Sequence, residues 1–195
     1  STRSYPGTGS TWYNLIGTVN GTLSATSIGT TTSGKMTFDG VDDSIDIPLA
    51  SLVSTDFTVI GVTQRTNAAA GRLISGKLNN WLLGQWSSYM RQYFSQGWVT
   101  GIGAGDSAVY DDLETHIWCG TGDISADTYK FRDDNVAYTT NTTAGSQGPN
   151  GFLLGKYYAG SEYGTGTITL LLVYDRVLTD AEIDQNFNAQ KNRFL

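Results

Sequence analysis

One stretch near the carboxyl end, residues 168–187, constrains the fold more than any other part of the sequence. It opens with the run Leu170–Tyr174, in which both alternating sets of side chains are apolar. A strand that is apolar on both faces is typical of a position inside a sheet. We therefore predict that this run has neighbouring strands on both sides and does not lie at a sheet edge.

A helix is predicted to follow this strand directly. Thr179 and Glu182 have the spacing of a capping box, in which each side chain accepts a hydrogen bond from the other residue's backbone N–H. Leu178 and Ile183 flank the cap and can form a hydrophobic staple. Ile183 and Phe187, four residues apart, then give the helix an apolar face that can pack on a sheet.

The rest of the chain has the pattern of an all-β protein. Glycine is abundant, with 24 residues among 195, and turn signals separate short apolar segments. Residues 56–64 are apolar on both faces and predict a second central strand, whereas Pro48 is expected to end the strand before it. We predict further strands at 36–38, 45–47, 72–76, 81–86, 89–94, 97–100, 114–120, 128–132, 136–140 and 152–157. Together these segments predict a two-sheet antiparallel β-sandwich with one short C-terminal α-helix.

Composition argues against two classes of partner. The formal net charge is −6 without a cluster of Lys or Arg, so we expect no nucleic-acid binding, because phosphate contacts need concentrated positive charge. No apolar run approaches the ~20 residues that span a bilayer, so we expect no membrane partner. Cys119 is the only cysteine, which rules out an internal disulfide. The sequence has neither an initiator Met nor a signal peptide, so we expect a processed product or an excised domain.

Five motifs occur in a fixed order along the chain. They are Phe38–Asp46, Thr115–Trp118, Tyr129–Ala137, Phe152–Lys156 and Leu172–Ile183. With these motifs the chain resembles the laminin-G-like, concanavalin A-like jelly-roll superfamily over nearly its whole length, residues 1–195, as a single domain. The segments 81–86 and 93–99 are similar to the variant found in virion proteins of tailed phages, especially marine ones.

This resemblance implies a jelly-roll sandwich of two sheets and a role in glycan binding, host attachment or capsid decoration. Members of the superfamily usually have an apolar strand just before the segment that matches residues 4–9. Here only three residues precede that segment. We therefore expect an open sheet edge, which a neighbouring chain or another part of a larger polypeptide could pair with.

Catalysis is not expected. Glycosidases of the laminarinase type place a Glu-x-Asp-x-x-Glu motif on one strand, and the three glutamates of this chain, Glu114, Glu162 and Glu182, are spaced too widely to form it. His116 is the only histidine, and no Gly-x-Ser-x-Gly nucleophile motif is present. We interpret His116 as a hydrogen-bonded structural residue and Cys119 as a small core residue.

Aromatic residues are the main candidates for ligand binding. Tyr89, Arg91 and Tyr93 alternate along one strand, so we expect them on a common face, where the rings could stack on a sugar and the guanidinium could hold its hydroxyls or carboxylates. The alternative is that these aromatics fill the core. The full set of glycan-binding candidates is Trp81, Trp86, Tyr89, Arg91, Tyr93, Trp98, Tyr157, Tyr158 and Tyr163.

Calcium is a candidate cofactor, since many members of the superfamily bind it through loop carboxylates and carbonyls. Two acidic clusters could supply such ligands, and neither has the fixed spacing of an EF-hand. They consist of Asp39, Asp42 and Asp43 near one turn, and of Asp106, Asp111 and Asp112 in a long loop at 102–112. The alternative is that these aspartates cap their own turns.

The function predicted from the sequence is that of a non-catalytic phage virion protein, a capsid-decoration or fibre domain that binds glycans for host attachment. Its partners would be a host-cell surface polysaccharide, other virion proteins or further copies of itself, and its location the virion. The alternative is a lectin-like carbohydrate-binding module from a larger extracellular bacterial protein, secreted or at the cell surface.

Overall fold

The chain forms a β-sandwich of two antiparallel sheets with one helix near the carboxyl end, as the sequence predicts. The computed structural model describes residues 4–24, 34–67, 71–101, 113–141, 145–160 and 162–195, with the backbone alone for 137–141. Within these ranges, strands are numbered β1–β14 and the helix is α1.

Eight strands make up the first sheet, sheet I. In order across the sheet they are β1 (Thr11–Trp12), β2 (Gly21–Leu23), β4 (Ile45–Ser51), β13 (Asn150–Leu154), β6 (Ile74–Gly76), β7 (Trp81–Trp86), β8 (Tyr89–Ser95) and β9 (Trp98–Thr100). Strands β1 and β2, of two and three residues, were not predicted from the sequence, because segments this short show no period of their own.

Six strands make up the second sheet, sheet II. In order they are β12 (Val136–Asn141), β11 (Thr128–Asp133), β10 (Thr115–Asp123), β5 (Phe57–Arg65), β14 (Thr165–Tyr174) and β3 (Met36–Asp39). The turn from β11 to β12 places Asp134 and Asn135 at φ 47° and 62°, which suits the right-handed twist of a two-residue hairpin.

The main core lies between the two sheets, with Trp81 near its centre. The Trp81 ring meets three aromatic rings edge to face, at centroid distances of 6.1, 5.7 and 5.7 Å from Phe57, Tyr93 and Phe152. Each such pair contributes about 0.5–1.5 kcal/mol beyond its buried area. Because Phe57 belongs to sheet II and the other three rings to sheet I, the Phe57–Trp81 contact joins the two sheets, whereas the other two contacts lie within sheet I.

Helix α1 (Asp180–Phe194) covers the outer face of sheet II. The Thr179 hydroxyl accepts a hydrogen bond from Glu182 N, and the Glu182 carboxylate accepts one from Thr179 N, so the predicted capping box is confirmed. Ile183 and Phe187 pack on the sheet. They belong to a second apolar cluster, separate from the core between the sheets, which also contains Ile60, Val62, Ile117, Cys119 and Leu178. The helix extends seven residues beyond Phe187, farther than the sequence motif alone indicated.

Strand β14 has two neighbours along only part of its length. Thr165–Ile168 pairs with β3 on one side, and the strand pairs with β5 on the other. From Leu170 to Tyr174, β5 is the only partner among the described residues, and the five side chains are half-buried. Residues 25–33, which precede β3, lie outside the described part of the chain. Strand β14 as a whole therefore lies inside sheet II, between β3 and β5, but the run Leu170–Tyr174, for which strands on both sides were predicted, pairs on one side only within the described residues.

The prediction that Pro48 ends its strand is wrong. Strand β4 continues to Ser51, and its register with β13 shifts between Ile47 and Ser51. Pro48 therefore lies at an irregularity of the ladder, where no backbone N–H is required, and its side chain is exposed.

Candidate functional site

Two of the predicted glycan-binding residues are inaccessible. Trp81 and Tyr93 are both 0 % exposed and belong to the core between the sheets. The Tyr93 hydroxyl donates to the backbone oxygen of Thr121, and burial raises its pKa far above the usual range. For these two residues the core interpretation is correct, and they cannot contact a ligand at the surface.

A bulge in β8 overturns the predicted common face of Tyr89, Arg91 and Tyr93. Arg91 has φ 59°, and the register with β7 shifts at this point, since Gly84 pairs with Gln92 and the next residue pairs with Met90. The extra residue shifts the alternation, so that Met90 and Tyr93 both lie in the core, while the Arg91 side chain reaches Asp133 of sheet II and not an outer, ligand-facing surface.

Arg91 belongs to a polar cluster between the sheets. Its Nε donates to Asp133 Oδ2 at 2.6 Å, and His116 Nδ1 lies 2.8 Å from Asp133 Oδ1 and 2.9 Å from Asp134 Oδ2. Burial alone would raise the pKa of Asp133, but the hydrogen bonds from His116 and Arg91 outweigh it and hold the pKa below its ordinary value. His116 is buried and stacks on Trp118 at 4.7 Å, as expected of a structural histidine.

The outer face of sheet I carries three half-buried aromatic rings, Trp86, Phe94 and Trp98, which we name the aromatic ridge. The Trp98 ring lies 5.5 Å from Trp86 and 5.1 Å from Phe94, between centroids. Phe94 and Trp98 alternate with the core residues Tyr93 and Val99, and this alternation turns their rings away from sheet II. Tyr89 is half-buried and lies opposite Trp86 in the β7–β8 hairpin.

A polar network adjoins this ridge. Arg72 Nε donates to Glu162 Oε2 at 2.7 Å, and Trp86 Nε1 donates to the same oxygen at 3.1 Å. Arg72 Nη1 donates to Asn80 Oδ1 at 2.7 Å, and the guanidinium lies 4.0 Å above the ring of Tyr157. We name Arg72, Asn80, Tyr157 and Glu162 the Arg72 network; Trp86 joins it to the aromatic ridge.

The remaining predicted tyrosines lie beside this network. Tyr158, 40 % exposed, packs edge to face on Tyr157 at 4.8 Å. Burial, followed by the hydrogen bond with Tyr158, raises the pKa of Tyr157. Tyr163 pairs through its backbone with Arg72, and the ammonium of Lys156 lies 5.2 Å from its ring centroid.

Two polar atoms of the Arg72 network have no hydrogen-bond partner in the part of the chain that the structure describes. Both described bonds of the Glu162 carboxylate use Oε2, and no hydrogen bond within the described residues uses Oε1. Likewise, Asn80 accepts through Oδ1, while its Nδ2 has no partner in the described ranges. The site therefore presents one fixed acceptor and one fixed donor beside a row of aromatic rings, an arrangement typical of small-ligand sites.

Sequence reasoning missed Arg72, Asn80 and Glu162 as site residues. Arg72 and Glu162 are 90 positions apart, and Trp86 and Glu162 are 76 apart. No local period reports such a contact. Phe94 was visible in the aromatic segment 81–98 but was not selected as a ligand contact.

The acidic turn keeps its carboxylates close together. Asp39, Asp42 and Asp43 can bring one oxygen each within 4.8 Å of the others. Two of them already accept hydrogen bonds within the turn: Asp39 Oδ1 from Val41 N and Asp43 Oδ2 from Asp39 N. These bonds are those of a self-capping turn. Asp106, Asp111 and Asp112, like the predicted loop at 102–112, lie outside the described residues.

The sheet order and the buried core between the sheets define a jelly-roll β-sandwich, and the candidate site lies on an outer face of it. Neither a protein-family model nor a curated protein sequence matches the chain. In the part of the chain that the structure describes, no helix is long and apolar enough to cross a membrane.

Several solved structures share the fold. A mutant of Trypanosoma rangeli sialidase with trans-sialidase activity is 16 % identical, with a TM-score of 0.71, over 96 % of this chain and 32 % of that chain. The binding domain of botulinum neurotoxin serotype D is 10 % identical, with a TM-score of 0.63, over 91 % of this chain and 50 % of that chain.

Another is domain 4 of AbnA, a GH43 extracellular arabinanase from Geobacillus stearothermophilus, in complex with arabinotriose. It is 17 % identical, with a TM-score of 0.52, over 88 % of this chain and 82 % of that chain. At these identities the similarities show the fold alone. The chain spans about a third of the length of the sialidase it matches, 32 %.

Proposed function

We propose that the chain is a non-catalytic glycan-binding module whose ligand lies on the outer face of sheet I. The observation that carries this proposal is the carboxylate of Glu162, which is fixed by Arg72 and Trp86 beside the aromatic ridge. Aromatic rings offer a flat apolar surface to the C–H face of a sugar, while fixed polar atoms select its hydroxyls. One structure of the same fold, domain 4 of AbnA, was solved in complex with arabinotriose, which supports a glycan as the ligand class. Another is named as a binding domain, which supports a binding role.

A glycan array followed by calorimetry on the selected glycan tests the proposal. We expect Trp86→Ala to raise Kd by at least about tenfold, because central aromatic residues carry much of the binding energy at such sites. Tyr13→Ala is the matched control: Tyr13 is 47 % exposed and lies beside β1, at the opposite edge of sheet I. Equal losses in both variants, or no array binding at all, would refute the proposed site.

The absence of catalysis is part of the same proposal. The three glutamates lie on separate elements: Glu114 before β10, Glu162 before β14 and Glu182 in α1. Glu182 is held by Arg176 and the helix cap. Incubation with the polysaccharides bound on the array should release no reducing ends, and measurable release would overturn this part of the proposal.

The finer role, host attachment or capsid decoration in a tailed phage, is supported by the sequence resemblance of residues 81–86 and 93–99. Mass spectrometry of purified virions, with the copy number per particle, tests it. A gene neighbourhood of secreted carbohydrate-active enzymes would instead favour the alternative, a module of a larger extracellular bacterial protein.

A further inference from the structure

We propose that this surface takes a neutral, hydroxyl-rich sugar and discriminates against sugars that carry carboxylates. The inference rests on the proposed function and specifies the ligand of the same site. The inference follows from two properties of the charged groups in the Arg72 network, namely how far each is exposed to solvent and whether each is already paired.

The carboxylate, and not the guanidinium, is the charge that a ligand meets. Arg72 and Glu162 form an ion pair at 2.7 Å, in which the side chains are 5 % and 36 % exposed, respectively. One face of the guanidinium is also covered by the Tyr157 ring at 4.0 Å. An anionic sugar would therefore meet the half-buried Glu162 carboxylate before it could reach the more deeply buried Arg72, and like charges at close range repel.

Two other lysines near this face already contact neighbouring side chains, and one of them is paired with a carboxylate. Lys77 Nζ pairs with Asp46 at 2.8 Å. Lys156 Nζ lies 3.5 Å from the Tyr163 hydroxyl and above that ring. With a net charge of −6 for the whole chain, long-range attraction does not favour an anion either.

The available atoms match hydroxyl groups. Glu162 Oε1 can accept from one sugar hydroxyl, and a charged acceptor makes a stronger hydrogen bond than a neutral one. Asn80 Nδ2 can donate to a second hydroxyl, and both residues are held in place by the same Arg72 side chain. Trp86 then supplies the ring on which the apolar face of the sugar packs.

Matched pairs of probes test this inference: galactan against polygalacturonate, and lactose against sialyllactose, together with neutral arabinan and β-glucan. We expect the wild-type chain to bind neutral members only. Glu162→Gln should weaken neutral binding by about tenfold, since a charge-assisted bond is lost. It should also raise the ratio of anionic to neutral binding by about tenfold or more, because Arg72 is then uncompensated.

Asp127→Asn is the control, because it removes one exposed negative charge in the β10–β11 turn of sheet II and should leave both affinities unchanged. As a second measurement on the wild type, neutral binding should be insensitive to ionic strength. Preferential binding of the carboxylated probes, lost in Trp86→Ala, would overturn this inference and leave the proposed function intact. Failure of every probe to bind would overturn the proposed function itself.

Discussion

The polar cluster around Asp133 gives the sharpest stability prediction, for the substitution Asp133→Asn. Asp133 is 2 % exposed, and its two oxygens are bonded separately, to Arg91 at 2.6 Å and to His116 at 2.8 Å. Removing one partner of a buried ion pair costs about 3–5 kcal/mol, and the 30 % exposure of the Arg91 side chain favours the lower end. We expect a loss of about 3 kcal/mol, or a fall in Tm of about 6–12 °C for a chain of this size.

The pH dependence of this loss has a definite sign. The pKa of Asp133 is lowered in the folded state, so its stabilisation is present above the unfolded pKa and is lost as pH falls through the folded pKa. Arg91 and His116 bond to it directly, and Asp134 lies 2.9 Å from the same His116 nitrogen. The difference between wild type and Asp133→Asn should therefore be full at pH 7 and shrink below about pH 4.

Urea unfolding followed by tryptophan fluorescence at pH 7 and at about pH 3 measures both effects. Asp127→Asn is the matched control: the residue is exposed and has φ 50°, a conformation that asparagine tolerates. A loss below about 1 kcal/mol at pH 7, the range of exposed ion pairs, would refute the reasoning. So would a difference that grows as the pH falls.

Two further predictions concern the helix and the thiol. Thr179→Ala removes the hydroxyl of the capping box and should lower the free energy of unfolding, measured in urea, by about 1 kcal/mol. The control Thr55→Ala, at an exposed position, should change it by less than about 0.5 kcal/mol. Equal effects of the two substitutions would contradict the role of the cap. Burial raises the pKa of Cys119 to about 12, so thiol reagents at about pH 8 should modify the folded chain far more slowly than the urea-unfolded chain, and comparable rates would contradict the burial.

Local signals allowed much of sheet II and the helix to be predicted from the sequence. The capping box depends on two residues three positions apart, and the two apolar faces of residues 56–64 and 170–174 follow directly from alternation. Phe57 and Val59 indeed belong to the inter-sheet core, while Ile60 and Val62 face the helix. The faces of a strand can be assigned without knowledge of the rest of the fold, because successive side chains of a strand point to opposite faces of the sheet.

The candidate site could be predicted only in part. The aromatic segment 81–98 is evident in the sequence, but which of its rings face outward depends on the bulge at Arg91. A single residue in the left-handed region of φ leaves no signature in a run of alternating side chains. The contact between Arg72 and Glu162 accompanies the backbone bridge of Arg72 with Tyr163 and the hydrogen bond from Trp86 to Glu162. Strand alternation fixes faces, whereas contacts across 90 positions require the tertiary structure.

The irregularity that reorders the aromatic strands can itself be tested, at Gly84. Gly84 has φ +101°, and a Cβ at this position would lie 2.7 Å from Trp118 Nε1. Gly84→Ala should therefore add an overpacking cost of about 1–3 kcal/mol to the backbone strain. Gly9→Ala is the matched control, because Gly9 has φ +86° and nothing within 4 Å, so it should show only the strain, about 1–2 kcal/mol.

The difference between these two variants isolates the contact with Trp118. The Trp118 indole donates to Thr63 Oγ1 at 2.8 Å and is fully buried, so a ring that is pushed aside loses a buried hydrogen bond. Near-ultraviolet circular dichroism should then change in Gly84→Ala and stay unchanged in Gly9→Ala. Equal unfolding free energies for the two variants would mean that β7 does not approach Trp118 closely. The same result would undermine the bulged pairing of β7 with β8, and with it the outward position of the aromatic ridge.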